Sequence, residues 1–374
     1  TIYFNSFNFL LGFYKDIFIN IFKQHKTPLL LFFIFIFLNL ISLVFNYSGI
    51  KSLEGFFHIT IPSLIFLICL VLFYKKENFD KFIRLLILLS IILFLINLIF
   101  LFKPNTYKNL YAHAQSYPRL GSLFQHPIGY GVFSVILYLI LLSNFYNFYN
   151  KLFYYLLIFI NSLGLVMSGG KVSFVLFLVF SIFIFYKIFL KNKDFKNLFI
   201  HLIILLFIVF LFYLFWLSTK NLILSKVSLI STQNIEFSNW IENFYTFNTY
   251  KETSVNRRIE IWQIVLDYNF KNFKNFIIGY GPFAFGKILE KDYIHTHNLF
   301  FEFFLSYGLL GFIYLLILIF LIYKKLSLAK NLTLNLIFYY YFIHSFFDVL
   351  FWGGVLDLIF FTFLSYLIYY PYND

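Results

Sequence analysis

Apolar residues run along this chain in ten blocks, near residues 28–46, 59–74, 82–102, 127–146, 152–168, 172–190, 199–217, 299–323, 331–351 and 354–370, separated by short clusters rich in lysine. A helix needs about 20 mostly apolar residues to cross the hydrocarbon layer of a bilayer. The pattern therefore predicts an all-α polytopic membrane protein with about ten transmembrane helices. Residues 1–22 are apolar too, but Lys15 and Asp16 interrupt them, so an interfacial helix is expected there rather than an eleventh span. One long polar stretch, 218–298, divides the chain into N-terminal transmembrane helices (1–217), a large loop with short helices (218–298) and C-terminal transmembrane helices (299–374). No internal repeat is evident.

Composition supports the pattern. The 374 residues are 61% hydrophobic and 12% charged, against roughly 25% charged in a soluble domain, which excludes an ordinary water-soluble fold. The 60 Phe and 30 Tyr are given no functional weight, since AT-rich coding produces the same bias. The single cysteine, Cys69, lies in an apolar block and excludes a disulfide within the chain. No cleavable signal pattern is found near the start, so the first spanning helix is expected to direct insertion.

Charge sets the orientation. The 29 Lys+Arg exceed the 16 Asp+Glu to give a net +13, and basic loops stay cytoplasmic. Three connections carry most of the bias: Lys75, Lys76, Lys81 and Arg84; Lys187, Lys191, Lys193 and Lys196; and Lys324, Lys325 and Lys330. With ten spans these fall on one side, together with Lys23, Lys26 and the C-terminus. Residues 218–298 and the loops 103–126, 169–171 and 352–353 are then expected on the outer face, which in a bacterial inner membrane is the periplasm.

The outer elements carry the candidate chemistry. Ser254 or Asn256 can cap a helix in which Ile259, Trp262, Val265 and Leu266 repeat at helical spacing, placing Arg257 and Arg258 in its first turn. Cations are unfavourable at that end unless an anion is bound between them. A pyrophosphate suits the guanidinium fork, each charge-assisted bond being worth roughly 1.5–3 kcal/mol; lipid headgroup phosphates or solvent would serve as well. Lys171 follows Ser168, Gly169 and Gly170, where exposed amides and a cation can cradle phosphate, or where a lysine simply snorkels to the interface. Arg119, before Gly121, His126 and Pro127, reads as a further cation or as an interfacial anchor.

Asp292, His295 and His297 form D-x-x-H-x-H, a poor spacing for a metal site, so no metal is expected. A histidine can instead take a proton from a hydroxyl near neutral pH, and His297, where the loop meets the eighth span, is the better placed. His344 and Asp348 stand one helical turn apart in the ninth span; an intramembrane ionisable pair is a functional candidate by default, with a structural polar pair as the other reading. No phosphate-loop motif, no D-x-D pair on a cytoplasmic loop and no W-W-D triplet is present. ATP hydrolysis, a metal-held nucleotide sugar and asparagine glycosylation are therefore not expected, nor is a nucleic-acid partner.

The stretch from His297 to Gly311 reads H-N-x9-G-x-x-G, beginning with His297 and Asn298, and resembles the signature of the O-antigen ligase family. Upstream, NRRIEIWQ followed by the G-x-G of Gly279 and Gly281 resembles that family's R-x-x-x-W and G-x-G. RLGSLFQHPIGYG and SGGKVSF are similar to its two earlier motifs, with Lys171 where an arginine is more usual. The resemblance spans roughly residues 115–311. It implies a glycosyltransferase-C-like fold and metal- and ATP-independent transfer, without a cofactor, of a glycan from undecaprenyl pyrophosphate to a lipid A-core sugar hydroxyl on the periplasmic face. In that reading His297 is catalytic; Arg119, Lys171, Arg257 and Arg258 bind the donor pyrophosphate; and His295, Asn298, Gly279, Gly281 and Asp348 support them, with membrane lipids as further partners. O-antigen polymerases and O-linked oligosaccharyltransferases share the domain and are the nearest alternatives. A lipid-linked glycan transporter is the rival class, for which repeat halves and mid-bilayer polar residues would be expected.

Overall fold

The computed structural model describes residues 23, 25–46, 50–73, 75–102, 120–124, 127–231, 254–282, 284, 296–329, 331–349 and 355–369. The expectations for residues 1–22, Arg119, Asp292, His295 and the loop 352–353 fall outside the described residues. The helices are α1 (Lys26–Phe45), α2 (Ile50–Leu72), α3 (Lys76–Phe102), α4 (Pro127–Ser143), α5 (Lys151–Ser168), α6 (Lys171–Ile184), α7 (Phe195–Ser231), α8 (Ser254–Phe270), α9 (Phe273–Ile278), α10 (Leu299–Ala329), α11 (Leu332–Ser345) and α12 (Val355–Tyr369). A π-helical turn, Phe185–Leu190, continues α6.

Every apolar block becomes a helix, and among the described residues there is no strand. Among the described residues seven helices, α1, α2, α3, α5, α6 with its continuation, α7 and α10, are long and apolar enough to cross a membrane. The other three expected spans are shorter: α4, α11 and α12 have 17, 14 and 15 residues. Outward-facing residues are apolar, as Leu30, Phe33 and Phe37 on α1 and Phe199, Leu206 and Phe210 on α7 illustrate, while Asn39, Asn161, His201 and Glu302 are buried. That inversion of the soluble pattern is what a hydrocarbon solvent selects. The chain is an all-α polytopic membrane protein.

Several helices outrun their apolar blocks, while α4 and α11 stop short of theirs, at Ser143 and Ser345. α2 begins at Ile50 rather than 59, α3 at Lys76 rather than 82, and α7 runs to Ser231, beyond the fall in hydropathy at 217. Hydropathy marks where the hydrocarbon ends, whereas a helix satisfies its own backbone bonds and can continue into polar surroundings. Side-chain caps close other ends. The Asn150 carboxamide oxygen accepts from Phe153 N at 3.0 Å before α5, and Gly169, at φ 60°, ends that helix in the left-handed region.

The chain divides into two compact units that cut across the three sequence segments. One comprises Thr1–Ile83, Ile264–Asn335 and Ser345–Asp374; the other comprises Arg84–Gln263 and Leu336–His344. In the first, α2 lies along α12, with Ser365 Oγ donating to Phe66 O at 3.0 Å. There α1 lies along α10, with Phe35 stacked on Phe303 and Tyr314 and the Tyr307 hydroxyl donating to Asn39 Oδ1. In the second, α4 packs against α5 and α6 and is buried along most of its length. Added Cβ atoms at Gly131 and Gly164 would strike Ser168 and Tyr130 respectively, so these small residues set the helix spacing.

Candidate active site

The junction where the polar loop enters α10 is fixed by its own polar residues. Asn298 caps the helix, its Oδ1 accepting from Phe300 N at 2.9 Å and Phe301 N at 3.2 Å. Its Nδ2 donates to Phe346 O at 3.1 Å. Buried Thr296 donates its N–H to Glu302 Oε2 at 2.9 Å and its hydroxyl to Asn298 O at 2.8 Å. Ser306 Oγ donates to the other Glu302 oxygen at 3.3 Å. Between these anchors His297 takes a left-handed backbone, φ 55°, a conformation costing about 1–3 kcal/mol for a non-glycine residue and common where a side chain must be aimed.

His297 is aimed at Asp348. Its Nδ1 lies 3.7 Å from Asp348 Oδ1, with the histidine side chain 33% exposed and the aspartate 11%. That separation is too long for a hydrogen bond and suits a charge contact that strengthens when the imidazole gains a proton. Asp348 is itself held by Val349 N, which donates to its Oδ1 at 2.9 Å, and Phe346 stacks on Phe300 with centroids 4.6 Å apart. The expected one-turn pairing of His344 with Asp348 is corrected here. α11 ends at Ser345, so Asp348 lies in the following turn, while His344 Nε2 lies 3.1 Å from Ser173 Oγ. Hydropathy carries the ninth block through to 351 and hides that end.

Three glycines of the sequence motifs, Gly279, Gly281 and Gly308, form one backbone crossing. α10 breaks at Gly308, φ 62° and ψ −156°. Just before the break, three successive carbonyls accept from other elements: Phe304 O from Asn269 Nδ2 at 3.0 Å, Leu305 O from Tyr280 N at 2.8 Å, and Ser306 O from Gly281 N at 2.9 Å. Ser42 Oγ also donates to Ser306 O at 2.8 Å. Gly279 has φ 73°. A Cβ on Gly279 would collide with the Ser306–Tyr307 peptide, and one on Gly308 with the Ile277 carbonyl and Gly279 N. The motif thus specifies two bare backbones in contact, which anchor the loop below His297.

Beside this crossing lies an apolar cavity of about 570 Å³, lined by Leu266, Phe270, Phe276, Phe300, Phe304, Phe346 and Asn298 among others. Leu266 faces it, which corrects the predicted face of α8. The buried stripe is Ile261, Val265 and Asn269, while Ile259 and Leu266 are exposed at 43% and 37%. Apolar residues on both sides of the helix blur its amphipathic signal.

The second unit holds the other candidates. Lys171 is the exposed first residue of α6, directly after the Gly169–Gly170 turn. Leu120 donates its N–H to Met167 O at 2.9 Å, bringing the described residues that begin at Leu120 beside the end of α5, which SGGK follows. Arg257 and Arg258 fall in the opening turns of α8, and the Arg258 side chain is half-buried. Sequence reasoning missed Thr296 and Glu302. A carboxylate inside an apolar run was the signal available for Glu302.

No curated protein matches the chain. Residues 156–316 match the family model described as O-antigen ligase, a stretch that includes Lys171, Arg257, Arg258, Gly279, Gly281, His297 and Asn298. Over those residues the chain is similar to the O-antigen ligase family, whose members are glycosyltransferase-like enzymes.

Proposed function

We propose that the protein transfers a glycan from undecaprenyl pyrophosphate to a sugar hydroxyl of lipid A-core, on the periplasmic face of a bacterial inner membrane. The observation that carries this reading is His297, held by Asn298 and its neighbours with Nδ1 toward Asp348 inside the matched domain. The apolar cavity next to Asn298 supports a polyprenyl-linked donor, since it accepts hydrocarbon close to the reacting end.

In this reading the acceptor oxygen bonds to the anomeric carbon as His297 Nε2 takes its proton. The bond from that carbon to the pyrophosphate oxygen breaks, its electron pair leaves with undecaprenyl pyrophosphate, and the anomeric configuration inverts. Asp348 stabilises the imidazolium that forms. Arg119, Lys171, Arg257 and Arg258 bind the pyrophosphate and stabilise its growing charge. His295 assists at the loop, and Gly279 and Gly281 hold its base. The energy for transfer resides in the donor's pyrophosphate linkage, so no nucleotide is required.

Deleting the gene and separating lipopolysaccharide on a gel tests the reading. Bare core, with full-length glycan stranded on the carrier, is expected. Core capped by a single repeat unit would instead assign the protein as an O-antigen polymerase.

A further inference from the structure

The first unit contains another apolar cavity, along the part of α10 that follows the break at Gly308, from Tyr314 to Leu328. Its volume is about 250 Å³, and its walls come from α1, α2, α10 and α12. Phe35 and Tyr314, stacked at 5.7 Å, close the inner end. Thr27, Lys324 and Lys325 mark the other end, and among the described residues no carboxylate lines the cavity.

We infer that this cavity seats one anionic phospholipid, with an acyl chain between α1, α2, α10 and α12 and its phosphate against Lys324 and Lys325. Three observations converge. First, from Thr27 to Phe35 the space follows α1 for about 12 Å, a shape for a single hydrocarbon chain rather than a bulky polar ligand. Close-packed interiors do not leave an apolar void of this size unfilled without loss, and lipid is the surrounding solvent.

Second, the charge is complementary to a phosphodiester. Lys324 and Lys325 lie near the C-terminal end of α10, and Lys23 and Lys26 flank the start of α1. His25 at that start is edge-on to Tyr369 at 4.7 Å, which places the end of α12 at the same level. Third, burial and the nearby Lys325 hold the His25 imidazole below its ordinary range, which places His25 close to Lys325, and no anion is among the described residues lining the cavity. The site makes no use of the transfer chemistry and stands whether or not that chemistry is as proposed.

The test is a lipid titration of the purified full-length protein, read by native mass spectrometry, with phosphatidylglycerol and phosphatidylcholine of matched chains. One phosphatidylglycerol is expected to be retained in preference to phosphatidylcholine. Lys324→Gln with Lys325→Gln should weaken it about 30-fold, the effect of removing two juxtamembrane lysines. Lys75→Gln with Lys76→Gln removes the same charge from exposed positions outside the cavity and should leave affinity unchanged. Leu321→Trp fills the cavity without altering charge and should also abolish the selective adduct, with circular dichroism checking that each variant is folded. Equal affinity for the two lipids, an equal loss in both double variants, or full displacement by inorganic phosphate would overturn the assignment.

Discussion

Between Thr296 and Gly308, α10 and the loop before it exchange hydrogen bonds at successive polar groups, whereas between Leu309 and Ala329 the same helix relies on apolar contact; each half borders an apolar cavity. Hydrogen bonds are directional and fix atoms to within fractions of an ångström. Apolar packing fixes volume and accepts different shapes of similar size. The polar half is suited to aiming a side chain beside its cavity, and the apolar half to adapting its packing around whatever fills the space. A single helix thereby carries a rigid end and an adaptable one.

The largest effect should come from the aimed side chain itself. His297→Ala is expected to lower transfer about 10²–10⁴-fold, the range for loss of a general base, while the protein remains folded. Asp348→Asn keeps the shape and should cost less, about tenfold, because it removes one charge contact and not the base. Both are measured as single-turnover transfer in membranes. Activity within twofold of the parent in His297→Ala would remove this residue from the chemistry.

Next comes the crossing. Gly308→Ala combines an unfavourable φ with a clash against backbone, and should lower stability by about 2–4 kcal/mol in a thermal unfolding measurement in detergent. An unchanged midpoint would mean that the polar half is less rigid than its bonds imply. The smallest effect belongs to the apolar half. Leu318→Ala enlarges an existing cavity at a partly exposed position and should cost only about 1 kcal/mol, below the usual range for a core leucine.

Much of the helical scaffold was legible in sequence, because alternation between hydrocarbon and water is recorded residue by residue in the ten apolar blocks. Where helices outlast the hydrocarbon, as α2 does at Ile50 and α7 at Ser231, hydropathy falls silent while the backbone bonds continue. The site divides similarly. His297, Asn298, Gly279 and Gly281 were readable from local motifs, and the cap, the positive φ values and the backbone crossing give three of them a physical reason. The contact of His297 with Asp348 joins residues far apart in sequence, and Glu302 looks like one stray acid in an apolar run until Thr296 and Ser306 are seen to bond it. No local spacing encodes such partners. The same limit applies to the outward cations, whose shared face was inferred from loop charge and not from any motif.

The discontinuous make-up of the first unit has a consequence for the order of synthesis. Ser42 and its partner Ser306 are separated by 264 residues, and Ser365 and Phe66 by 299. At about 5–20 residues per second, α1 and α2 wait in the membrane for roughly 15–60 s before α10 and α12 are made. Asn39 has a bond for that interval, since its Nδ2 donates to Phe35 O within its own helix at 3.0 Å, and Ser63 Oγ likewise donates to Thr60 O at 2.7 Å. Local bonds of this kind satisfy polar groups within the early helices until the late part of the chain arrives, as when Tyr307 comes to donate to the remaining oxygen of Asn39.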